Sequence, residues 1–195
     1  KKKYAGMTEY FASKTGNKNK EIMLIYNSNL SVSPVTTHLP LKKIFSKINK
    51  NKIINSVKTI NNFYIKYLKK KPKIALTGMN PHCESFDNKS EEDKIISPAI
   101  KQLKKSKIIV SGPFPADTIF LEKNYKNFNV IVGMYHDQVL TPIKTIYGFD
   151  AINITLGLPF LRITPDHGPN ESMLGKNKSS ANSLINALLF ANKIK

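Results

Sequence analysis

The sequence predicts an α/β fold, in which the strands of a sheet alternate with the helices that cover it. Short apolar runs alternate with amphipathic runs along the 195 residues, as this class of fold requires. An apolar content of 41% is enough to bury a substantial core, as one large domain or as two small lobes. We treat 1–195 as a single region and place a lobe boundary in the lysine-rich stretch 69–73.

The first part of the chain predicts two strands and one long helix. Residues 21–26 form an apolar run typical of a strand, and the Ser- and Pro-containing stretch 31–34 indicates a loop. A helix running to about Lys70 is predicted because apolar residues recur three and four positions apart. These residues are Ile53, Val57, Ile60, Tyr64 and Tyr67. The run 73–79 is then predicted as a buried strand.

The second part predicts two further helices and two short strands. Ser90, followed by acidic residues, is typical of the cap of a helix that ends near Lys105. Pro115 stands where another helix begins. The stretches 108–110 and 130–134 are predicted as strands.

The last stretch, 181–194, predicts a terminal helix that packs on the sheet. Its apolar residues recur at helical spacing, so one face is expected to be buried. That face carries Leu184, Leu188 and Ala191.

The formal charge of +18 raises the question of a nucleic-acid partner. The excess comes almost wholly from lysines scattered among Asn and Ile, without the arginines and stacking aromatics that nucleic-acid grooves favour. We therefore expect a solvated basic surface and no nucleic-acid partner.

The sequence also predicts a cytoplasmic protein without a membrane partner. No stretch reaches the roughly 18 uninterrupted apolar residues of a spanning helix, and the N-terminal lysines are not followed by an apolar signal core. The single cysteine, Cys83, excludes an internal disulfide and fits a reducing compartment.

Arg162 is the only arginine, and every other basic residue is a lysine. A position that keeps arginine where lysine would also carry the charge indicates a need for the planar, bidentate guanidinium. This predicts a binding site for an anionic small molecule.

Three of the four histidines, His38, His82 and His136, follow a predicted strand or lie in the loop beyond one. Because the carboxyl ends of strands in an open α/β sheet converge on one crevice, these side chains can meet there and hold a divalent metal ion. The alternative is that each histidine caps a turn or forms a local hydrogen bond, and the spacing contains no local metal signature.

Two carboxylates, Asp117 and Asp137, are predicted beside the same crevice, where they can position a ligand or orient a histidine. The alternative for both is an acidic residue in the first turn of a helix. Lys144 lies eight residues after His136, about two helical turns on, so both can face one side.

A series of motifs is far more specific than any of these residues alone. In chain order they are T-E-Y-F, T-T-H-L-P-L, G-M-N-P-H, G-P-F-P-A-D-T-I-F, M-Y-H-D-Q, I-N-I-T-L-G-L-P-F-L-R and D-H-G. In order and spacing they resemble the 4-hydroxythreonine-4-phosphate dehydrogenases of pyridoxal phosphate biosynthesis, from about Ala5 to the C-terminus. The resemblance implies an isocitrate/isopropylmalate dehydrogenase-like sheet with flanking helices.

The resemblance also implies the chemistry. The family oxidises 4-phosphooxy-L-threonine with NAD or NADP and a divalent metal (Zn, Mg, Co or Mn), and the β-keto acid decarboxylates to 3-amino-2-oxopropyl phosphate. The partners implied are a phosphorylated hydroxy amino acid and a second copy of the chain, in a homodimer that shares the metal site.

The matching positions imply a set of site residues in this chain. The metal ligands are His38, His82 and His136; the substrate-binding residues are Thr8, Lys144, Asn153 and Arg162; Asp117 and Asp137 are supporting; and His167 and Gly168 contact the cofactor.

Three departures from the family pattern bear on activity. Met7 stands where the family has a histidine that contacts the substrate phosphate, and a thioether is no phosphate donor. The loop 83–88 differs from the usual Gly-rich loop with its further acidic residue. About the first third of the family pattern has no counterpart, so we expect a truncated catalytic region. A sister dehydrogenase of phosphorylated threonate or erythronate, or an inactive fragment that retains metal and phosphate-ligand binding, are the alternatives.

Overall fold

The computed structural model describes Tyr4 and residues 6–84, 90–168 and 171–194. Within these residues the strands are β1 (Ile22–Tyr26), β2 (Ser31–Thr36), β3 (Ile74–Thr77), β4 (Val110–Phe114), β5 (Val130–Tyr135), β6 (Ile152–Leu156) and β7 (Arg162–Pro165). They form one sheet in the spatial order β4-β3-β5-β2-β1-β6-β7.

Helices cover both faces of this sheet. They are α1 (Met7–Lys14), α2 (Leu41–Ile44), α3 (Lys50–Leu68), α4 (Ser97–Lys105), α5 (Ala116–Ile119), α6 (Glu122–Tyr125), α7 (His136–Tyr147) and α8 (Asn182–Lys193). Single 3₁₀ turns lie at Phe45–Lys47, Pro81–Cys83 and Glu171–Met173, and a π-helical turn at Glu92–Ile96 leads into α4. No helix in the described ranges is long and apolar enough to cross a membrane. The predicted α/β class is confirmed.

The strand directions bring many chain ends to one edge of the sheet. β4, β3, β5 and β2 are mutually parallel, whereas β1 is antiparallel to both β2 and β6. The strands β2 to β6 therefore all run in one direction and end at the same edge, which we call the carboxyl edge. Because β1 and β7 run in the opposite direction, they begin at that edge.

Most of the predicted elements are confirmed. The long amphipathic helix is α3, which Asn49 caps by accepting a hydrogen bond from the amide of Lys52 and which ends at Lys69 in a left-handed conformation. Ser90 accepts the amide of Asp93 at the start of the π-helical turn. The predicted strands near 21–26, 73–79 and 130–134 are β1, β3 and β5, and Pro115 directly precedes α5. The stretch 69–73 joins α3 to β3, and its place as a lobe boundary stays a prediction.

The prediction of a loop at 31–34 is wrong, because these residues begin β2, a buried strand between β1 and β5. The serines find hydrogen bonds inside the sheet region: Ser33 Oγ donates to the carbonyl of Met23, and Ser31 Oγ accepts from Tyr64. β1 pairs with β2 at Ile25 and Val32, which leaves Pro34 beyond that short ladder. The strand predicted at 108–110 is also displaced, since β4 begins only at Val110.

The predicted buried face of α8 is wrong. Leu184 and Leu188 are 49% and 64% exposed, whereas Ser183, Ala187 and Phe190 are buried against the sheet. Both sets recur at helical spacing, so periodicity alone does not choose between them. Burial of Ser183 is stabilised by its hydrogen bond to the carbonyl of Ala151.

The core has two parts, one on each face of the sheet. On one face α3, α4 and α8 pack on Leu24, Leu76 and Val132. On the other face α7 and α5 pack on Ile25, Val32 and Ile131. Since both faces are covered, the central strands are apolar without strict alternation, as in other buried parallel sheets.

Gly157, just after β6, is the position where the fold depends most sharply on glycine. Its φ is +80°, and a Cβ would lie 2.0 Å from the carbonyl oxygen of Lys20. Gly16 offers a matched control, because its φ is +69° and a Cβ there would meet no atom within 4 Å.

We predict that Gly157→Ala lowers the free energy of unfolding by roughly 2–4 kcal/mol, from the unfavourable φ together with the backbone clash. Gly16→Ala should lose only about 1 kcal/mol, from φ alone. Urea denaturation of both variants checks this. Equal losses would contradict the close approach of Gly157 to Lys20.

Candidate functional site

The ends of four neighbouring strands carry candidate site residues in spatial order along the carboxyl edge. Asp117 lies on α5 after β4, His82 in the turn after β3, His136 at the start of α7 after β5, and His38 just beyond β2. The sheet order therefore places the two histidines of β5 and β2 side by side.

His38 and His136 lie next to each other. Thr36 of β2 pairs with Tyr135 of β5, and the two imidazole ring centroids are 5.8 Å apart with the rings tilted by 43°. His136 Nδ1 lies 2.6 Å from Oδ1 of Asp137. His38 Nδ1 lies 3.6 Å from Oε1 of Glu9. Because a carboxylate faces Nδ1 of each ring, Nε2 of each remains for another ligand.

The structure does not bring His82 to this pair. Among the residues that the structure describes, no three His, Cys, Asp or Glu side chains form a group able to hold a metal ion. His82 is exposed and has a φ of +56° within the turn Pro81–Cys83. The donor set fits a divalent ion in part: the pair supplies two imidazoles, and a further ligand has to come from elsewhere.

The His82 turn is held by Glu92, which is only 2% exposed. Its Oε1 accepts the backbone amides of Met79 and Asn80, and its Oε2 accepts from Nδ2 of Asn80 at 2.7 Å. Burial by itself raises the pKa of Glu92, but these hydrogen bonds outweigh it, so the pKa lies below its ordinary value of 4.5. Burial is the main cause that raises the pKa of Cys83, which lies beside His82, and the charges of Glu92 and Asp117 add to that rise.

Gln138, in the Y-H-D-Q motif, joins the ends of β3 and β5. Its Oε1 accepts from Thr77 Oγ1 at 2.8 Å and from the amide of Met134 at 2.7 Å, and its Nε2 donates to the carbonyl of Gly78 at 2.8 Å. All of its polar atoms are thus used inside the fold. Gln138 fixes the strand ends that carry His82 and His136.

Arg162 lies at the start of β7 beside Thr8. One guanidinium nitrogen, Nη1, is 3.3 Å from Thr155 Oγ1 and 3.5 Å from Thr8 Oγ1, and the guanidinium carbon lies 5.9 Å from the ring centroid of Phe11. The structure therefore brings Thr8 and Arg162, which are 154 residues apart in sequence, into one place. Both hydroxyl acceptors are neutral, so within the described residues the positive charge of Arg162 has no carboxylate partner and remains available to an anion.

Asn153 lies on β6 on the same face as Thr155, two residues from it. Its neighbours across the ladders are Ile25 of β1 and Thr164 of β7. Its Oδ1 is buried and has no hydrogen-bond partner among the residues that the structure describes. A buried amide oxygen without a partner is costly, so a ligand that donates a hydrogen bond there is favoured.

Lys144, near the end of α7, is held by Asp166, which directly follows β7. Its Nζ donates to both the carbonyl oxygen and Oδ2 of Asp166, at 3.0 Å each. Burial raises the pKa of Asp166, and the ammonium of Lys144 opposes part of that rise. Lys144 lies eight residues, or about 12 Å of helix, beyond His136.

His167 and Gly168 border a cavity of about 290 Å³. Its other walls include the apolar side chains of Phe149 and Met173 and the polar side chains of Lys178 and Ser183. An apolar wall with a few polar groups suits a flat heterocycle such as the adenine of a nicotinamide cofactor, and the volume lies at the lower end of the range for ligand pockets.

The two local departures from the family pattern have different places in the structure. Met7 is 55% exposed at the start of α1, directly before Thr8. In the loop 83–88, only Cys83 and Glu84 are described, and the rest of that prediction lies outside the described residues.

Sequence reasoning missed the carboxylates that hold the candidate side chains. Asp166 is part of the D-H-G motif and Glu92 follows the predicted helix cap, so both stood next to recognised signals. Glu9 belongs to the T-E-Y-F motif. No spacing rule connects any of them to its partner, because each contact joins distant parts of the chain or depends on a loop.

Comparison with known proteins first identifies the fold. A 4-hydroxythreonine-4-phosphate dehydrogenase from Klebsiella pneumoniae superposes with a TM-score of 0.81 and 31% identity, covering 98% of this chain and 59% of that one. The corresponding enzyme from Burkholderia phymatum gives 0.79 and 31%, covering 98% and 58%. The predicted isocitrate/isopropylmalate dehydrogenase-like sheet with flanking helices is thus confirmed.

The sequence comparisons then identify the family. Residues 1–191 match the family described as pyridoxal phosphate biosynthetic protein PdxA, to which this chain belongs. Proteins named 4-hydroxythreonine-4-phosphate dehydrogenase are 44% identical over 190 residues in a Sulfurihydrogenibium species and 38% identical over 197 residues in Bradyrhizobium diazoefficiens. The matches cover 96% and 98% of this chain but 58% and 57% of those relatives, so the chain spans little more than half of their length.

We predict that Glu92→Gln lowers the free energy of unfolding by about 2 kcal/mol at neutral pH, because a charged acceptor of three hydrogen bonds is replaced by an amide. The folded-state pKa of Glu92 lies below 4.5, so its contribution is fully present above that pH and is lost as the pH falls through the folded value. The difference between wild type and variant should therefore shrink below about pH 4.5. Urea denaturation as a function of pH measures this, and a difference that grows towards acid pH would contradict it.

Proposed function

We propose that this chain supplies the metal-binding and substrate-binding part of a 4-hydroxythreonine-4-phosphate dehydrogenase, an oxidoreductase of pyridoxal phosphate biosynthesis. Membership of the PdxA family supports this, as do the names of the relatives. The observation that carries it is the grouping of Arg162 with Thr8 next to Asn153, whose buried amide oxygen has no partner in the described part of the chain.

The substrate is a phosphorylated hydroxy amino acid, 4-phosphooxy-L-threonine, which presents two anionic groups and an ammonium. Arg162 binds one anionic group through its bidentate fork, with the hydroxyl of Thr8 beside it. The third Nζ hydrogen of Lys144, not used by Asp166, donates to the other anionic group. Asn153 Oδ1 accepts from a hydroxyl or ammonium and so fixes the orientation.

His38 and His136, with His82 from a second copy of the chain, are the proposed ligands of a divalent ion, in a homodimer that shares the site. Glu9 orients the ring of His38, and Asp137 orients the ring of His136. Asp117 supports the loop of His82 from α5. A bound ion supplies Lewis acidity for oxidation of the substrate hydroxyl and for the decarboxylation that yields 3-amino-2-oxopropyl phosphate. Zn, Mg, Co and Mn are all compatible with imidazoles and a chelating substrate.

NAD or NADP is the proposed oxidant, with its adenosine in the cavity beside His167 and Gly168. Phe149 and Met173 offer an apolar surface to the base, and Lys178 lies at the polar side of the same cavity. Phe149 also lies 4.8 Å from Lys144 Nζ, measured to its ring centroid, so the cavity that would hold the adenosine adjoins a proposed substrate residue.

The direct test is turnover and binding with the purified protein, a divalent metal and both nicotinamide cofactors. We expect 4-phosphooxy-L-threonine to reduce the cofactor, and Arg162→Lys to lower kcat/KM about tenfold through KM, because one ammonium cannot replace a bidentate pair. Lys101→Met, which removes one exposed charge on α4, is the control for a general effect of surface charge and should change neither constant.

The outcome also separates the alternatives. Preference for phosphorylated erythronate or threonate would replace the proposal with the sister dehydrogenase. Binding of metal and substrate without turnover would identify a binding fragment. If the protein neither binds nor turns over these ligands, the proposed function of this chain is refuted.

A further inference from the structure

Asp166 is a buried acidic residue that directly contacts the candidate substrate residue Lys144. Its side chain is 8% exposed, whereas that of its partner Lys144 is 34% exposed. The carbonyl oxygen and Oδ2 both accept from Nζ at 3.0 Å. Two acceptors on one residue define the direction of the ammonium more strictly than a single surface ion pair does.

Asp166 is itself fixed from the other side. Its backbone amide donates to Ser183 Oγ at 2.8 Å, and the hydroxyl of Ser183 donates to the carbonyl of Ala151 at 2.7 Å. Ser183 is 2% exposed on α8, and Ala151 directly precedes β6. Asp166 is therefore anchored to both α8 and the strand that carries Asn153.

This anchoring constrains the orientation of Lys144. A flexible lysine loses substantial rotamer freedom when it binds a ligand. Two hydrogen bonds to a fixed residue, with the ring of Phe149 4.8 Å from Nζ, remove much of that freedom before any ligand binds. One Nζ hydrogen is left, and its direction is set by the other two.

We propose that Asp166 is a positioning residue, which holds the Lys144 ammonium so that its remaining hydrogen meets an anionic group of the substrate. The inference rests on the proposed function, in which Lys144 binds substrate. Burial of a carboxylate costs stability unless it is paired. The hydrogen bond from the backbone amide of residue 166 to Ser183 needs no charge on the side chain, so a purely structural role does not explain the carboxylate.

The first test is a double-mutant cycle on binding of 4-phosphooxy-L-threonine, measured by calorimetry. Asp166→Asn and Lys144→Gln should each weaken binding roughly tenfold, and the double variant should be no weaker than Lys144→Gln alone. Asp150→Asn is the matched control, because it alters an exposed carboxylate that accepts from Asn186 near the same helix. It should change affinity less than about twofold. Far-UV circular dichroism checks that each variant is folded.

A double variant weakened by the product of the two single effects would show that Asp166 acts independently of Lys144 and would overturn the inference. So would an Asp166→Asn variant that binds as tightly as wild type. Absence of substrate binding by the wild type would refute the proposed function. In that case a second test, which needs no substrate, decides whether Asp166 positions Lys144.

The second test measures the rate at which an amine-acylating reagent labels Lys144, with mass spectrometry to resolve the site. In Asp166→Asn the ammonium should be labelled several-fold faster, relative to the exposed lysines of the same molecule, because its hydrogen bond to the charged carboxylate is lost and only the backbone carbonyl still holds it. Asp150→Asn should leave the ratio unchanged. An unchanged ratio in Asp166→Asn would overturn the positioning role whether or not the protein binds substrate.

Discussion

The parallel pairing of β2 with β5 is the constraint on which the candidate site depends. Thr36 pairs with Tyr135, and the next residues of each strand end carry His38 and His136 to within 5.8 Å between ring centroids. The pairing is held by buried residues such as Val32 and Val132, and by the hydroxyl of Thr36, which donates to the carbonyl of Met134 at 2.7 Å. A slip of one residue would turn every side chain of a strand to the other face of the sheet. The core therefore secures the two strand ends from which the pair projects.

The candidate site also depends on the placement of acidic residues. The chain has 13 Asp and Glu against 31 Lys and Arg, yet carboxylates lie beside several of the candidate side chains. Asp137 faces the ring of His136, Asp166 holds Lys144, and Glu92 fixes the turn that presents His82. In so basic a protein a carboxylate finds a cation almost anywhere on the surface, so ion pairing alone does not explain this distribution. Orientation of histidine and lysine side chains, and of the backbone around them, does explain it.

Much of the fold could be predicted because α3, β3 and β5 have clear apolar periodicity or continuous apolar runs. β2 could not, since its serines and Pro34 are tolerated only through hydrogen bonds and pairings made by other strands. The buried face of α8 could not be predicted either, because Leu184 and Leu188 form a second apolar stripe that rivals Ala187 and Phe190.

For the site, motif order led to Thr8 and Arg162, and the structure brings them together. Three histidines at strand ends predicted one cluster. Among the described residues, the structure brings His38 and His136 together but leaves His82 apart. The contacts of Asp166 and Glu92 depend on loops folding back, which residue type and spacing do not reveal.

The measurement that tests the account most directly is histidine side-chain NMR during titration with Zn²⁺. If the register of β2 and β5 delivers His38 and His136 to one ion, the Nε2 resonances of both rings should move together at a single equivalence point, while Nδ1 of each stays protonated towards its carboxylate. The variant Asp137→Asn is the control, because it should disturb the signals of His136 more than those of His38. Shifts of the two rings at different metal concentrations, or coordination through Nδ1, would contradict the account.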